Sequence, residues 1–330
     1  MALPEQKHVW ETPGAARWVL WLVGIALLAA VVAAAIHFSE EREFLLLAER
    51  AEPWWLLLAF AFQAGTYLAQ GQIWQRVANA GGTTVNLKTA FQLSLAKLFI
   101  DQALPSTGIS GTIFAVKALE QRGMSRAVVS AGVVVNMASF FMAYVAGLIA
   151  ASVILSVSGQ SGVVLTLASA LFVLFSIAMT AALLALAGRD VYPQMEWLVR
   201  YRIMQRLLEF LQAADRRLAR APRLLVEATA LQVGTILLDT ATMWVLIRSV
   251  GGSASPSAVF ASLMIASLVR TAGVVPGGLG TFEATSVLML RMYSVPFSVA
   301  LSATLLFRGL SFWLPMLPGL WFSRRAVREH

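Results

Sequence analysis

The residues most able to do chemistry lie in a glycine-rich string in the last quarter of the chain. It reads Val-Arg-Thr-Ala-Gly-Val-Val-Pro-Gly-Gly-Leu-Gly-Thr-Phe-Glu over residues 269–283. Glycine adds backbone entropy and proline removes a hydrogen-bond donor, so the string interrupts a helix. The backbone N–H groups of Gly278–Thr281, at the start of the next helix, could bind a phosphate. Arg270 could add charge-assisted hydrogen bonds to it.

Charged residues elsewhere complete the predicted site. Arg308 lies well inside an apolar segment, where an isolated charge is expensive and is functional by default. It would bind the same phosphate, while Glu283 would meet a cationic group of the ligand or carry a coupling proton. Lys97 and Asp101, at i and i+4, would line a polar path or simply pair with each other. The predicted substrate-binding residues are Lys97, Asp101, Pro105, Gly108, Asp239, Arg270, Pro276, Gly277, Gly278, Gly280, Thr281, Glu283 and Arg308.

Several of these residues also have a purely structural interpretation. Thr281 is a suitable N-cap, and Glu283 in the first turn would interact favourably with the helix dipole. Arg308 could pair with Glu283 or Asp239 for structure alone. The glycines are not followed by the Gly-Lys-Ser/Thr of a nucleotide-binding P-loop, which argues against nucleotide binding.

The sequence offers no metal or catalytic centre. It has no cysteine, so it has no thiol nucleophile and no cysteine-ligated metal. Its three histidines, His8, His37 and His330, are scattered and form no ligand cluster. No nucleophile–base pair or acid–histidine cluster is apparent. We therefore predict that the protein is not an enzyme and needs no metal or cofactor.

Composition predicts a polytopic all-α membrane protein. The chain is 58% hydrophobic and 13% charged, with a mean hydropathy of +0.74 over 330 residues. A water-soluble globule of this size would not have these values. The net charge of +8 is read as an orientation signal rather than as nucleic-acid binding, because Lys and Arg of membrane proteins collect on one side.

Apolar runs divide the chain into seven predicted parts. A run of about 20 residues can cross the roughly 30 Å of hydrocarbon as a helix. The first run is predicted to be a retained anchor; a cleaved signal peptide ending near Ala33-Ala34-Ala35 is the alternative. The parts are a cytoplasmic segment at 1–16, an anchor helix at 17–38, a first repeat at 54–155 with its break at 105–111, a transmembrane helix at 163–187, a basic connector at 189–223, a second repeat at 224–322 with its break at 276–280, and a basic cytoplasmic tail at 323–330.

Basic residues predict how the spans are oriented. The connector carries eight arginines among leucines at helical spacing, which predicts one amphipathic helix on the membrane surface. Most other basic residues outside the spans fall on the same side, while the acidic loop at 40–52 and the turns at 156–162 and 251–255 fall on the other. Only Arg291 breaks this pattern. Both termini are therefore predicted to be cytoplasmic.

The two repeats share one pattern, a span, a broken helix pair and a second span. A shift of 171 or 172 residues places Pro105 and Gly108 on Pro276 and Gly280. The first repeat begins on the outer side and the second on the inner side, so we predict inverted topology, an architecture of transporters. The pattern leaves open whether the broken pairs are re-entrant or cross the membrane.

The second repeat resembles a known family. The string from Pro276 to Glu283, the arginine of the next span at Arg308 and the pair Pro318-Gly319 are similar to the lysylphosphatidylglycerol synthase transmembrane-region family. This is the flippase half of the bacterial multiple peptide resistance factor and its stand-alone relatives. The resemblance covers residues 15–325 and implies a multi-pass protein of the bacterial cytoplasmic membrane that moves lipids between leaflets. It also allows a homodimer, or a separate lipid-modifying enzyme, as partner.

The first repeat departs from that family pattern. After Pro105 and Gly108 stand Ile109, Ser110 and Gly111, where the family would have an acid. This difference argues against a symmetric mechanism with two acids. The sequence also shows no counterpart of the soluble aminoacyl-transferring domain of fused members, so we expect no synthase activity.

Three functional classes remain open at this point. A lipid flippase or scramblase would move a phosphate-bearing lipid, aminoacylated or otherwise cationic in its head group, and needs a cavity open sideways to lipid. A small-solute or ion-coupled transporter would need a closed aqueous path. A non-catalytic membrane partner of a lipid-modifying enzyme is the third class. The resemblance favours the flippase.

Overall fold

The structure, a computed structural model, describes Leu22 and residues 53–103, 109–189, 202–272 and 275–328. The predicted segment at 1–16 and the predicted anchor at 17–38 lie outside the described residues, apart from Leu22, which is helical. Pro105 and Gly108 of the first break also lie outside them.

The described part of the chain is all helical, as predicted, and contains no strand. Its helices are α1 (Pro53–Ala80), α2 (Leu87–Ala103), α3 (Ile109–Glu120), α4 (Arg126–Val157), α5 (Val163–Leu186), α6 (Arg202–Gln212), α7 (Arg216–Ala219), α8 (Pro222–Ser249), α9 (Pro256–Ala272), α10 (Thr281–Met292), α11 (Phe297–Arg308) and α12 (Leu314–Arg328). A π-helical stretch, Gly309–Trp313, joins α11 to α12 without interruption.

Helix lengths recur in the two predicted repeats. α1 and α8 each have 28 residues, α2 and α9 have 17, and α3 and α10 have 12. The 32 residues of α4 are matched by the segments of 12, 5 and 15 residues that form α11, the π stretch and α12. Equal lengths are what the predicted repeat requires, and the repeat itself stays a prediction. Its inversion across a membrane stays a prediction.

Four described helical segments are long and apolar enough to cross a membrane. They are α4, α5, α8 and Phe297–Ser323. α1 is as long as α8 but is not one of these four segments, and it carries glutamines at positions 63, 70, 72 and 75 as well as Arg76. The sequence predicts a span here, and Gln63, Gln70 and Arg76 contact α8, whereas Gln75 donates to the Val85 carbonyl at 3.1 Å.

Each predicted repeat ends in a helix that packs on the broken pair of the other repeat. α4 packs on α9, where an ideal Cβ at Gly147 would lie 2.7 Å from Met264 Cε. α12 packs on α2, where an ideal Cβ at Gly319 would lie 2.6 Å from the carbonyl oxygen of Leu95. Glycine allows this close approach. The helices of the two predicted repeats therefore pack between one another rather than forming two separate groups.

The connector lies at one end of the bundle and differs in detail from its prediction. Its described part forms α6 and α7 instead of one helix, because the Asp215 carboxylate caps α7 and accepts hydrogen bonds from the N–H groups of Arg217 (2.8 Å) and Leu218 (3.2 Å). Arg220 Nε donates to the Leu184 carbonyl at 2.7 Å, which ties the connector to the end of α5.

The opposite end of the bundle carries two arginines, one more than the sequence analysis recognised. Arg248 lies 5.2 Å from the centre of the Trp244 ring, and Arg291 lies 5.7 Å from that of Phe297. Each guanidinium lies over an aromatic ring, and this cation–π interaction partly compensates for a position away from the other basic residues.

Candidate functional site

The second break is a tight turn between α9 and α10. Pro276–Gly278 form one turn of 3₁₀ helix, and φ is 61° at Gly277, 65° at Gly278 and 77° at Gly280. These left-handed values favour glycine. An ideal Cβ at Gly277 would also lie 2.3 Å from Phe312 Cε2. The break therefore needs glycine for its backbone conformation and for its packing on the π stretch.

Arg308 and Glu283 form a buried ion pair next to this turn. Arg308 Nε donates to Glu283 Oε1 at 2.7 Å, and Arg308 Nη2 donates to the Gly277 carbonyl at 2.9 Å. The guanidinium lies 4.4 Å from the ring centre of Phe312 and 5.2 Å from that of Phe282. The side chains are only 4% and 1% exposed. Arg308 thus holds the break against α10 and α11.

This geometry changes two roles expected from the sequence. Gly280, not Thr281, is the N-cap of α10, and the Thr281 hydroxyl donates to the Gly278 carbonyl at 3.0 Å. The N–H of Gly278, expected to bind phosphate, donates to the Val275 carbonyl at 2.9 Å. The alternative role of Thr281 as N-cap is therefore wrong, because the left-handed turn brings Gly280 to that position.

Glu283 uses only one of its two carboxylate oxygens in the ion pair with Arg308. Its Oε2 is buried and has no hydrogen-bond partner among the described residues. An unpaired buried acceptor is costly, so such an atom needs an explanation. A proton or a donor group of a bound ligand would satisfy it.

Arg270 is the most exposed of the three predicted site cations, Lys97, Arg270 and Arg308. Its side chain is exposed and crosses the break, since an ideal Cβ at Gly278 would lie 2.3 Å from Arg270 Cγ. The guanidinium lies 5.8 Å from the centre of the Phe282 ring. Within the described part of the chain it forms no ion pair, although Asp239 lies within its electrostatic range. Arg270 can therefore receive an anion.

Lys97 and Asp101 pair with each other near the end of α2. Lys97 Nζ donates to Asp101 Oδ2 at 2.6 Å, and the two side chains are 23% and 16% exposed. Asp101 Oδ1 also accepts the N–H of Gly111 in the first turn of α3, at 2.8 Å. The pairing named as the structural alternative is thus present, together with a bond to the next helix.

A row of polar pairs, which we call the α1–α8 seam, crosses the bundle. Gln63 Nε2 points to Asp239 Oδ1 at 3.3 Å, and Gln70 Nε2 donates to Gln232 Oε1 at 2.8 Å. The partner number falls by seven as the α1 number rises by seven, so the helices are antiparallel. This step is two turns, about 10 Å along the helix, and the third pair, Arg76 with Glu227, follows at a slightly shorter spacing. The seam consists of Gln63, Gln70, Arg76, Glu227, Gln232 and Asp239.

The sequence analysis recognised Asp239 but none of its partners on the seam. Glutamine is common on helices, so a single one carries little signal. The usable signal is the seven-residue spacing, which puts Gln63 and Gln70 on one face of α1 and Gln232 and Asp239 on one face of α8. Gln232 also donates to Asn136 Oδ1 of α4 at 3.0 Å, which widens the polar row.

An apolar groove opens beside one end of the seam. Its cavity of about 260 Å³ lies between α1, α2 and α12. Tyr67 and Gln63 stand at its inner wall, and Leu317 at its rim is 70% exposed. Its lining residues include Phe60, Phe91, Leu95, Leu310, Leu314 and Pro318. Its lining residues Phe60, Leu314 and Leu317 are exposed, so the groove opens on the outer surface of the helix bundle.

Comparison with known proteins identifies the chain at the level of family. A family model described as the lysylphosphatidylglycerol synthase TM region matches residues 21–319. The chain belongs to this family. A UPF0104 membrane protein of Methanocaldococcus jannaschii is 25% identical over 285 residues, which are 81% of this chain and 83% of that protein. Membership agrees with the resemblance drawn from Pro276–Glu283 and Arg308, and with a membrane protein of several apolar helices.

In this family member the predicted site residues divide into three groups. Arg270, the glycines of the second break, Glu283 and Arg308 come together around one turn. Asp239 belongs to the α1–α8 seam. Lys97 and Asp101 lie at the end of α2, with α12 packed along that helix. Pro105 and Gly108 lie outside the described residues.

Proposed function

We propose that this protein moves a phosphate-bearing lipid, with an aminoacylated or otherwise cationic head group, between the two leaflets of a membrane. The α1–α8 seam is the observation that carries the proposal. Membership of the lysylphosphatidylglycerol synthase TM region family supports a lipid-related role. The proposal includes no chemical step on the lipid and no cofactor.

The seam places polar groups where a membrane protein has reason to avoid them. α8 is apolar and long enough to span, yet it directs Gln232 and Asp239 toward α1. In hydrocarbon such groups are expensive unless they pair with one another or serve a substrate. Pairs about 10 Å apart along the helices would offer a moving head group successive hydrogen-bond partners.

The apolar groove would accommodate the lipid tails. A lipid head group can follow a polar row only if its acyl chains stay in an apolar medium. The groove opens to the side beside Gln63 and Tyr67, so chains could remain in the bilayer while the head group enters. A small-solute transporter would use a polar row as well, but it has no need for such an opening.

Charges near the second break suit a zwitterionic or cationic head group. Arg270 is accessible for the phosphate, close to the start of α10. Asp239 on the seam, and the unpartnered Oε2 of Glu283 where a donor can reach it, would receive an ammonium group. This revises the role expected for Arg308, whose Nε and Nη2 already bind protein acceptors.

The decisive experiment measures exchange of labelled lipids between leaflets in vesicles that contain only this protein. The lipids carry anionic, zwitterionic and aminoacylated head groups on the same phosphate and chains. We expect exchange that depends on head group and is strongly reduced in Arg270→Gln, Asp239→Asn, Glu283→Gln and Arg308→Ala.

Matched controls come from the connector. Glu209 and Arg206 are exposed on α6, and Glu209→Gln and Arg206→Gln should exchange lipids as the wild type does. If folded wild-type protein exchanged none of the lipids, the proposal would be wrong. Uptake of a soluble solute would then favour the transporter alternative, and inactivity in both assays would favour a partner-dependent component.

A further inference from the structure

The two helix pairs that flank the breaks have matching positions. The third residue from the end of α2 is Asp101, and the third from the end of α9 is Arg270. The third residue of α3 is Gly111, and the third of α10 is Glu283. By sequence alone, the acid of the second pair therefore has no counterpart in the first, since glycine stands there.

The structure nevertheless puts a carboxylate at Gly111. Asp101 Oδ1 accepts the Gly111 N–H at 2.8 Å. An ideal Cβ on Gly111 would lie 2.3 Å from Asp101 Oδ1 and 2.5 Å from Asp101 Cγ. The carboxylate of Asp101 thus occupies the space in which a side chain of residue 111 would begin.

Helix packing explains why the acid comes from α2. The same ideal Cβ would lie 2.5 Å from the backbone carbonyl oxygen of Lys97. Backbone cannot give way as a flexible side chain can, so α2 and α3 approach too closely for any residue but glycine at 111. An acid at this place has to arrive from the other helix of the pair.

Each carboxylate is held by a base at nearly the same distance. Lys97 Nζ lies 2.6 Å from Asp101 Oδ2, and Arg308 Nε lies 2.7 Å from Glu283 Oε1. Both acids also lie in or against the first turn of the second helix of their pair, where the helix dipole favours negative charge. The two arrangements share chemistry although their residues occupy different positions.

We propose that Asp101 is the counterpart of Glu283, so that one acid–base pair at each break serves the moving head group. This inference rests on the proposed lipid transport. Transport then uses two acids, contrary to the expectation drawn from the sequence. At each break the acid takes the ammonium group, and the phosphate goes to the more exposed base there, Lys97 at the first break and Arg270 at the second.

The two pairs differ in how far they can be reached. The side chains of Lys97 and Asp101 are 23% and 16% exposed, and those of Arg308 and Glu283 are 4% and 1% exposed. A transporter that opens its two binding sites alternately would expose one acid–base pair more than the other in any single conformation. The first pair would accept a head group in the conformation described, and the second only after a rearrangement.

The test separates a transported-ligand role from helix capping. Asp101→Asn keeps an oxygen that can accept the Gly111 N–H but removes the charge, as Glu283→Gln does at the other break. We expect each variant to slow head-group-dependent lipid exchange about tenfold or more, the effect of about 1.4 kcal/mol on a barrier. Lys97→Arg keeps the charge and should retain most exchange, whereas Lys97→Gln should lose it.

Two further measurements keep the outcomes distinct. Thermal unfolding in detergent must show that Asp101→Asn is folded, and Glu209→Gln on the exposed face of α6 must exchange lipids normally. Normal exchange in Asp101→Asn beside a slow Glu283→Gln would overturn this inference and leave lipid transport standing. Absence of exchange in the wild type would instead overturn the proposed function.

Discussion

Arg308 has both a structural and a functional interpretation. The structure favours the structural one, in which Arg308 holds the second break in its conformation. It reaches Glu283 of α10 and the Gly277 carbonyl of the turn. Desolvating two charges is costly, and their attraction offsets this cost only when the geometry is good. Removing one partner leaves the other charge buried and unpaired.

We expect Arg308→Ala to lower the free energy of unfolding by about 3–5 kcal/mol, because Glu283 would keep an uncompensated buried carboxylate. Glu283→Gln should cost less, since an amide oxygen can still accept from Arg308. The double variant should be less destabilised than the sum of the two single variants. Unfolding in mixed micelles measures these differences, with exposed Arg206→Ala as the control. A cost for Arg308→Ala no larger than that of the control would contradict the assignment.

Two glycines next to Arg308 make a matched pair for mutation. The Gly277 carbonyl accepts a hydrogen bond from Arg308, and Gly309 follows Arg308 in the chain. Gly277→Ala should destabilise the protein by about 1–2 kcal/mol from its left-handed φ alone, and contact with Phe312 adds to that cost. Gly309 has φ −54°, and an added Cβ there meets open space. Gly309→Ala should therefore be neutral or stabilise by about 0.5–1 kcal/mol. Equal effects of the two changes on the unfolding midpoint would rule out this account.

Part of the site was predictable at the residue scale. The glycine string fixed the place of the break, since three glycines and a proline disrupt a helix in any context. The roles of Thr281 and Arg308 were less accessible, because capping and pairing depend on which backbone conformation and which neighbours the fold supplies. Asp101 illustrates the limit best: its bond to Gly111 depends on how closely α2 and α3 pack.

At the scale of elements, the π stretch between α11 and α12 has an identifiable cause. Pro315 lacks an N–H and cannot bond to the carbonyls that an α or π pattern would offer it, those of Ser311 and Leu310. The hydroxyl of Tyr67 takes over, and it donates to the Leu310 carbonyl at 3.1 Å. A side chain of α1 thus completes the backbone bonding of another helix.

Tyr67→Phe should destabilise the protein by about 1–3 kcal/mol, because it leaves the part-buried Leu310 carbonyl without the donor that now satisfies it. Pro315→Ala restores an N–H in the same place. We therefore expect Tyr67→Phe to cost clearly less in the Pro315→Ala background, as a double-mutant cycle on the unfolding free energy would reveal. Additive effects would mean that the hydroxyl and the proline act on separate parts of the structure.

The α1–α8 seam was harder to predict from the sequence than the helices that form it. The lengths of the apolar runs indicated where long helices lie, and α5 covers Val163–Leu186 where a transmembrane helix at 163–187 was predicted. Pairing between α1 and α8 could not be read in this way, because the partners are 162 and 176 residues apart. Only the packing of two helices from different repeats brings Gln63 to Asp239.

At the scale of the whole molecule, the two ends of the bundle are distinct. One end holds Arg122 and the connector, and the other holds Arg291 and the turn that contains Ser253. The chain has no cysteine, so single cysteines can be placed freely. Arg122, Arg217, Ser253 and Arg291 are all exposed.

We expect a membrane-impermeant thiol reagent to label Arg122→Cys and Arg217→Cys from one side of the membrane, and Ser253→Cys and Arg291→Cys from the other. The positive-inside pattern predicts that the first pair is cytoplasmic. Intact cells and broken membranes provide the two measurements. Labelling of all four from a single side would contradict a bundle that spans the membrane along its long axis.

The packing of helices from the two predicted repeats between one another also bears on how the protein is made. The end of α2 and the start of α12, which packs on it, are 211 residues apart. At ordinary rates of synthesis this distance corresponds to a delay of roughly 10–40 s. During that time α2 has no α12 to pack against. A chain truncated before α12 would keep α2 uncovered permanently, so nonsense or frameshift alleles late in the coding sequence should yield protein that is cleared by proteolysis rather than a partly active half.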